Sequence, residues 1–166
     1  MANLKLHGNP INTNSSLPAL GSKAKDFVLT ANDLQDHSFS EYLGKKILLN
    51  IFPSIDTGVC AASVRKFNFE AAKLENTVVL GISRDLPFAL ARFCGAEGID
   101  KVITLSEMRS RDFGKAYGLE IIDGPMAGLL ARSVIIINEE GEIAYTQLVE
   151  DIVMEPDYQA ALKALA

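Results

Sequence analysis

Two cysteines, two histidines and no tryptophan stand among the 166 residues. Two cysteines are too few for the disulfide framework of a small secreted domain, and a chain of this length can bury a core without one. His7 and His37 lie far apart, with no cysteine or carboxylate at zinc-ligand spacing, so no metal is expected. The absence of a C-x-x-C pair argues against a disulfide oxidoreductase. No phosphate-binding loop occurs between Gly118 and Gly128, and no cofactor is expected. Basic residues are in the minority: 16 Lys and Arg against 21 Asp and Glu leave a net charge of −5. Neither nucleic acid nor an anionic membrane is then an expected partner. Long apolar runs are missing as well. The longest, Ile47–Phe52 and Val134–Ile137, fall well short of the roughly 18 residues that a membrane span requires. The opening MANLKLHGNP has no apolar stretch after its Lys, so no secretory signal is read and a cytoplasmic location is expected.

What is present is the pattern of an ordinary α/β chain. Hydrophobic residues make up 48% and charged residues 22%, which excludes a disordered polymer. The stretch Lys5–Thr13, broken at Gly8-Asn9-Pro10, reads as a hairpin, and Phe27–Thr30 as a strand ended by Asn32-Asp33. Ser40–Leu43 is a short helical patch stopped by Gly44. Ile47–Phe52 is a nearly continuous apolar strand, as found where both faces of a sheet are covered. After a loop from Pro53 to Val59, the positions Cys60, Val64, Phe67, Ala71 and Leu74 recur at helical spacing. Strands follow at Thr77–Ser83 and Val102–Leu105, with a helix between them opened by Pro87 and closed near Gly95 or Gly98. A helix is expected over Glu107–Tyr117, a hairpin over Ser133–Val149 and a last helix from Pro156. The expected architecture is one domain spanning 1–166, with a mixed sheet, parallel at its centre and antiparallel at its edge.

Cys60 falls in the first turn of a helix at the carboxyl end of a buried strand. Ligand sites of open α/β sheets gather at such ends. An ordinary thiol is only a few per cent ionised at neutral pH, and the positive end of a helix raises that fraction. Cys60 is also in phase with the apolar stripe, so its sulfur points inward; core filler is the competing reading. Pro53 stops the strand, and Asp56 and Thr57 are candidate N-caps. The acidic pair Glu150-Asp151 reads as a solvated strand end, and Arg65, next to the helix start, does not separate cleanly from surface decoration.

Pro53, Thr57 and Cys60 together form Pro-x-x-x-Thr-x-x-Cys, which resembles the active-site signature of the peroxiredoxins. The longer stretch from Asn50 through Cys60 to Asn68 is similar to the thiol peroxidase subfamily of bacterial peroxiredoxins. Arg92-Phe93-Cys94-Gly95 matches where that subfamily carries a second cysteine, and Gly124-Pro125 with Ala131-Arg132-Ser133 matches the segment of its active-site arginine. The likeness runs essentially end to end. It implies a thioredoxin-like fold, with helices on both faces of the sheet and an N-terminal hairpin, and an antioxidant enzyme that reduces hydrogen peroxide and alkyl hydroperoxides. By the same likeness Cys60 attacks the peroxide and becomes sulfenic acid, Thr57 holds the peroxide, Arg132 steadies the charge and Pro53 shields the site. Cys94 then closes a disulfide with Cys60, which thioredoxin reopens, and the protein is a homodimer with its interface near the site, an arrangement that suits apolar surface loops such as Met126–Leu130.

Separate helices do not ordinarily bring two cysteines within the roughly 4.4–6.8 Å between Cα atoms that a disulfide requires. The segments around Cys94 and Cys60 are therefore expected to unwind in turnover, eased by Gly95 and Gly98. A permanent bridge is the other possibility, but a cytosolic setting keeps thiols reduced. Two other functions remain on the residues alone: a redox sensor using the same pair of cysteines, and a cysteine hydrolase, which lacks an evident histidine partner for Cys60.

Overall fold

A computed structural model describes residues 2–71 and 73–166. The chain opens with an antiparallel hairpin of β1 (Asn3–Leu6) and β2 (Asn9–Asn12). Next come β3 (Val28–Ala31) and β4 (Asp36–Ser38), a 3-10 turn over Phe39–Tyr42, and β5 (Lys46–Ile51). Alternation follows: α1 (Gly58–Ala71), β6 (Thr77–Ser83), α2 (Pro87–Glu97), β7 (Val102–Ser106) and α3 (Asp112–Ala116). The chain closes with β8 (Ser133–Ile137), β9 (Ile143–Leu148) and α4 (Tyr158–Leu165). Strands β3 to β9 form one seven-stranded sheet in the order β4-β3-β7-β6-β5-β8-β9. Neighbours β5, β6 and β7 are parallel and the outer pairings antiparallel, as expected from the sequence.

The apolar run of β5 is buried on both sides because its side chains alternate between two cores. Ile47, Leu49 and Ile51 pack with Phe27, Leu105, Phe113 and Tyr117 under α3. Leu48 and Phe52 pack with Cys60, Val64, Phe67, Leu90 and Ala161 under α1, α2 and α4. Helices thus cover both faces. A third cluster of Leu4, Ile11, Ile121, Ala131 and Ile152 seats the hairpin on the body of the protein. None of the described helices is long and apolar enough to cross a membrane.

The hairpin is attached by backbone and carboxylate together. Lys5 N–H donates to the Glu150 carbonyl at 2.8 Å, and Ile152 N–H to the Lys5 carbonyl at 2.9 Å. Asp151, expected as solvated surface, instead accepts from the turn: Gly8 N–H at 2.8 Å and His7 N–H at 3.1 Å. These donors, Gly8 foremost, hold the Asp151 carboxyl below its ordinary range. Glu150 is the exposed member of the pair, facing Lys5 at 3.3 Å.

Strand β4 was not expected from the sequence, and several boundaries differ from the sequence reading. The helix expected from Glu107 is only Asp112–Ala116, because Glu107 is turned into the protein. Its carboxylate accepts from Gly114 N–H at 2.5 Å and from Arg84 Nε at 2.6 Å. Burial pushes its pKa above the carboxylate range, and those two donors work against the rise. The last helix starts at Tyr158 rather than Pro156, since the Asp157 side chain accepts from Ala160 N–H and caps it. Helix α1 starts two residues before Cys60, at Gly58, and Leu74, expected on its stripe, lies past its end, where Leu74 N–H donates to the Ala71 carbonyl at 3.1 Å; its expected course over residue 72 lies outside the described residues. Leu130, expected on a surface loop, is fully buried.

Arg84 is the hub of the β6 end. Besides Glu107 it reaches Glu120 through Nη2 at 2.6 Å and the Gly128 carbonyl through Nη1. Replacing one member of so buried a pair leaves the other charge stranded. Arg84→Met is expected to lower the free energy of unfolding by about 3–5 kcal/mol in denaturant titration. Arg109→Met, which breaks the half-exposed pair with Asp36, is expected to cost about 1 kcal/mol or less. Equal losses for the two would contradict this picture.

Candidate active site

The register between β5 and β8 sets Ile51 opposite Ser133, which brings Arg132 beside the end of β5. Phe52 N–H still donates to Ile82 at 3.1 Å. Pro53, buried and without an N–H, ends the ladder there. The loop that follows is clamped by Asp85, at the exit of β6. Its carboxylate accepts from Ser54 Oγ at 2.8 Å, from Ile55 N–H at 2.7 Å and from Ser83 Oγ at 2.6 Å. Neither expected side chain caps α1. Thr57 Oγ1 donates to the Ser54 carbonyl at 3.1 Å, while Asp56 pairs with Arg92 at 2.8 Å. The Thr57 carbonyl accepts from Ala61 N–H, so Cys60 is the third residue of the helix, near its positive end.

Cys60 has no exposed surface. Its sulfur lies 3.2 Å from Nη1 of Arg132, itself 2% exposed. Arg132 is anchored by Nε donating to the Ile152 carbonyl at 2.8 Å. No carboxylate among the described residues pairs with it. A guanidinium cannot shed its proton at ordinary pH, and a buried cation without a counter-charge is costly. The Cys60 sulfur is the group that faces this cation. The backbone of Cys60 is bolted down too: its carbonyl accepts from Ser63 Oγ at 2.8 Å, which accepts from Asn50 Nδ2 at 3.1 Å.

A cavity of about 260 Å³ opens above Arg132, Pro53 and Thr57. Leu6 and His7 of the hairpin, Val59, Met126, Ile152 and Val153 wall it. Apart from Arg132, Thr57 and His7 this lining is apolar, so the site suits a small reactive head with an apolar tail. Among the described residues no cluster of His, Cys, Asp and Glu could hold a metal ion. Four residues singled out in the sequence, Pro53, Thr57, Cys60 and Arg132, are therefore brought together.

Cys94 is not with them. It is half-buried in the last turn of α2 and lines a separate cavity of about 250 Å³ with Asn32, Asp33, Ile99 and Thr104. Both cysteines are free thiols. In the order β7-β6-β5-β8, the strand of Thr104 and the strand that Arg132 precedes are three spacings apart, about 14 Å. Helix α2 is moored to the Cys60 side by two ion pairs: Arg92 with Asp56, and Arg65 with Glu97 at 3.2 Å. Arg65, which the sequence did not separate from surface decoration, also lies 5.8 Å over the Phe93 ring. Gly98 ends the helix with a left-handed φ of 65°, and Ile99 N–H donates to the Cys94 carbonyl at 2.9 Å.

Asp85, Asn50 and Ser63 escaped the sequence reading as site residues. Asn50 did leave a trace, as the one polar residue inside the apolar run of β5. Asp85 left none, because its loop donors lie some 30 residues away in sequence.

Residues 19–162 match the Redoxin family model. The chain is 54% identical over 165 residues to the thiol peroxidase of Corynebacterium glutamicum, covering 99% of each. It is likewise 54% identical over 165 residues to the thiol peroxidase of Mycobacterium bovis, again covering 99% of each. The crystal structure of a peroxiredoxin-like protein from Aquifex aeolicus superposes with a TM-score of 0.94 at 36% identity, covering 99% of this chain and 96% of that one.

The clamp at Asp85 is open to test. Hydrogen bonds to a charged acceptor are the strong ones, so Asp85→Ala is expected to speed amide exchange at Ile55 by about tenfold or more. The central strands keep their protection. Unchanged exchange at Ile55 would show that the carboxylate does not hold the loop.

Proposed function

Since the chain belongs to the redoxin family and, like its thiol peroxidase relatives, is an enzyme that reduces peroxides through a thiol, we propose that Cys60 is the attacking sulfur. The observation that carries this reading is the buried contact of its Sγ with Arg132. The Cys60 thiolate attacks the terminal oxygen of the peroxide. An S–O bond forms, the O–O bond breaks, and the departing oxygen takes up a proton to leave as water or alcohol. Negative charge moves from sulfur to the leaving oxygen in this step. A cation fixed beside the sulfur and lining the cavity is suited to follow it.

Thr57 lines the same cavity, and its hydroxyl is within reach of a peroxide if it exchanges the Ser54 carbonyl for the substrate. Pro53 gives one wall of the site an apolar, donor-free surface. Hydrogen peroxide fits such a site, and the apolar walls favour alkyl hydroperoxides as well. Cys94 is the resolving thiol in this reading. It attacks the Cys60 sulfenic acid, the S–S bond forms, and the oxygen leaves as water. The separation of the two sulfurs requires the end of α2 and the first turn of α1 to unwind for that step. The ion pairs that moor α2 are exposed and break at modest cost when it does so.

Thioredoxin is the proposed reductant that reopens the disulfide, its dithiol becoming oxidised in exchange. A compartment that keeps thiols reduced suits such a cycle, and the cytoplasm is the proposed location. The proposed assembly is a homodimer.

Cys60→Ser is expected to abolish peroxide reduction. Cys94→Ser is expected to consume one equivalent of peroxide per chain and then stop in a coupled assay with thioredoxin and its reductase. Steady turnover by that variant would remove Cys94 from the cycle. Trapping the disulfide is expected to raise amide exchange at the end of α2 and in the first turn of α1. Equal protection in both redox states would contradict the unwinding.

A further inference from the structure

The environment of Cys94 is built from polar groups in a defined order. Its sulfur lies 3.5 Å from Thr104 Oγ1, on β7. Thr104 is 2% exposed, and its hydroxyl donates to Asn32 Oδ1 at 2.8 Å. A hydroxyl has one proton to give. With that proton committed to Asn32, Thr104 can only accept from Cys94, and the sulfur must be the donor. An acceptor-only partner favours the neutral S–H over the anion. We propose that Thr104 and Asn32 are positioning residues which hold Cys94 docked on β7 as a protonated thiol, so that its nucleophilic form arises only when α2 comes away.

The other groups around the sulfur agree with this. Asp33 lines the same cavity, and its negative charge also opposes an anionic sulfur. On α2, Arg92 is engaged with Asp56, and Glu97 with Arg65 of α1. In the following loop, Asp100 and Lys101 turn their backbone N–H groups to Asn68. The β7 residues lining the cavity with Thr104 are Val102 and Ile103, which do not titrate. The two cysteines thus sit in opposed settings: Cys60 against a cation, Cys94 against an acceptor.

The consequence for turnover rests on Cys94 being the resolving thiol. In that reaction Cys94 gives up its proton, bonds to the Cys60 sulfur, and the sulfenic oxygen leaves as water. Holding the proton in the docked state ties this attack to the release of α2. It also keeps a half-exposed thiol from reacting with other electrophiles.

The test titrates Cys94 alone, in a Cys60→Ser background, by its rate of alkylation with iodoacetamide across pH. Thr104→Val removes the acceptor, and Asn32→Ala frees the Thr104 hydroxyl to donate to sulfur. Both are expected to move the midpoint of the pH profile downward and to raise the rate at neutral pH by roughly two- to tenfold, the worth of one neutral hydrogen bond. Thr104→Ser is expected to behave as the parent. A rate raised by one factor at every pH means only a loosened helix and would overturn the proposal, as would an unmoved or upward midpoint. The titration uses no peroxide, so it is independent of the resolving role. Failure of the native protein to form a Cys60–Cys94 disulfide after one equivalent of peroxide would refute that role while the predicted shift still upheld the hydrogen-bonded chain.

Discussion

An arginine with 2% of its surface exposed, and no carboxylate among its described partners, organises this protein. Arg132 keeps its charge at any ordinary pH, and burying that charge is costly unless an anion meets it. The Ile152 carbonyl satisfies one donor but cannot balance the charge. The sulfur of Cys60, 3.2 Å from Nη1, can do so when ionised. One contact therefore serves both the packing of the core and the chemistry proposed for Cys60.

The rest of the molecule secures that contact from several directions. Antiparallel pairing of β5 with β8 sets Arg132 beside the strand exit that leads to Cys60. Asp85 grips the intervening loop, and the Asn50–Ser63 bridge holds the Cys60 carbonyl. From the other side, the Asp151 carboxylate shapes the turn of the hairpin whose Leu6 and His7 wall the cavity. Arg84 braces the segment that leads into Arg132 through Glu120 and Gly128. These supports converge on the Cys60 end of the sheet. Cys94, by contrast, hangs on a helix end held by exposed ion pairs, a glycine terminator and one hydrogen-bonded chain. Interactions of that kind break at modest cost, which suits an element that must move.

Much of the fold was legible because it depends on local pattern. The burial of β5, the parallel centre of the sheet and the β1-β2 and β8-β9 hairpins follow from spacing that neighbouring residues reveal, whereas β4 was not read. The inward sulfur of Cys60 was legible for the same reason. Arg132 was visible only through family resemblance, since its partners come from α1 and from Ile152, remote in sequence. Glu107 was misread as a helix start because a buried ion pair with Arg84 overrode its local propensity. Asp151 looked like solvated surface because the N–H groups it accepts belong to a hairpin some 140 residues away. Asp85 and the chain from Cys94 through Thr104 to Asn32 were hidden likewise: each joins groups that only the sheet order brings together.

The thiolate ultraviolet absorbance of Cys60 at neutral pH, compared between the parent and Arg132→Met in a Cys94→Ser background, bears most directly on whether Arg132 maintains a reactive sulfur. If it does, the parent carries the absorbance, Arg132→Met loses most of it, and the rate of the first oxidation by peroxide falls by about a hundredfold or more. Undiminished thiolate and an undiminished rate in a folded Arg132→Met protein would contradict that role.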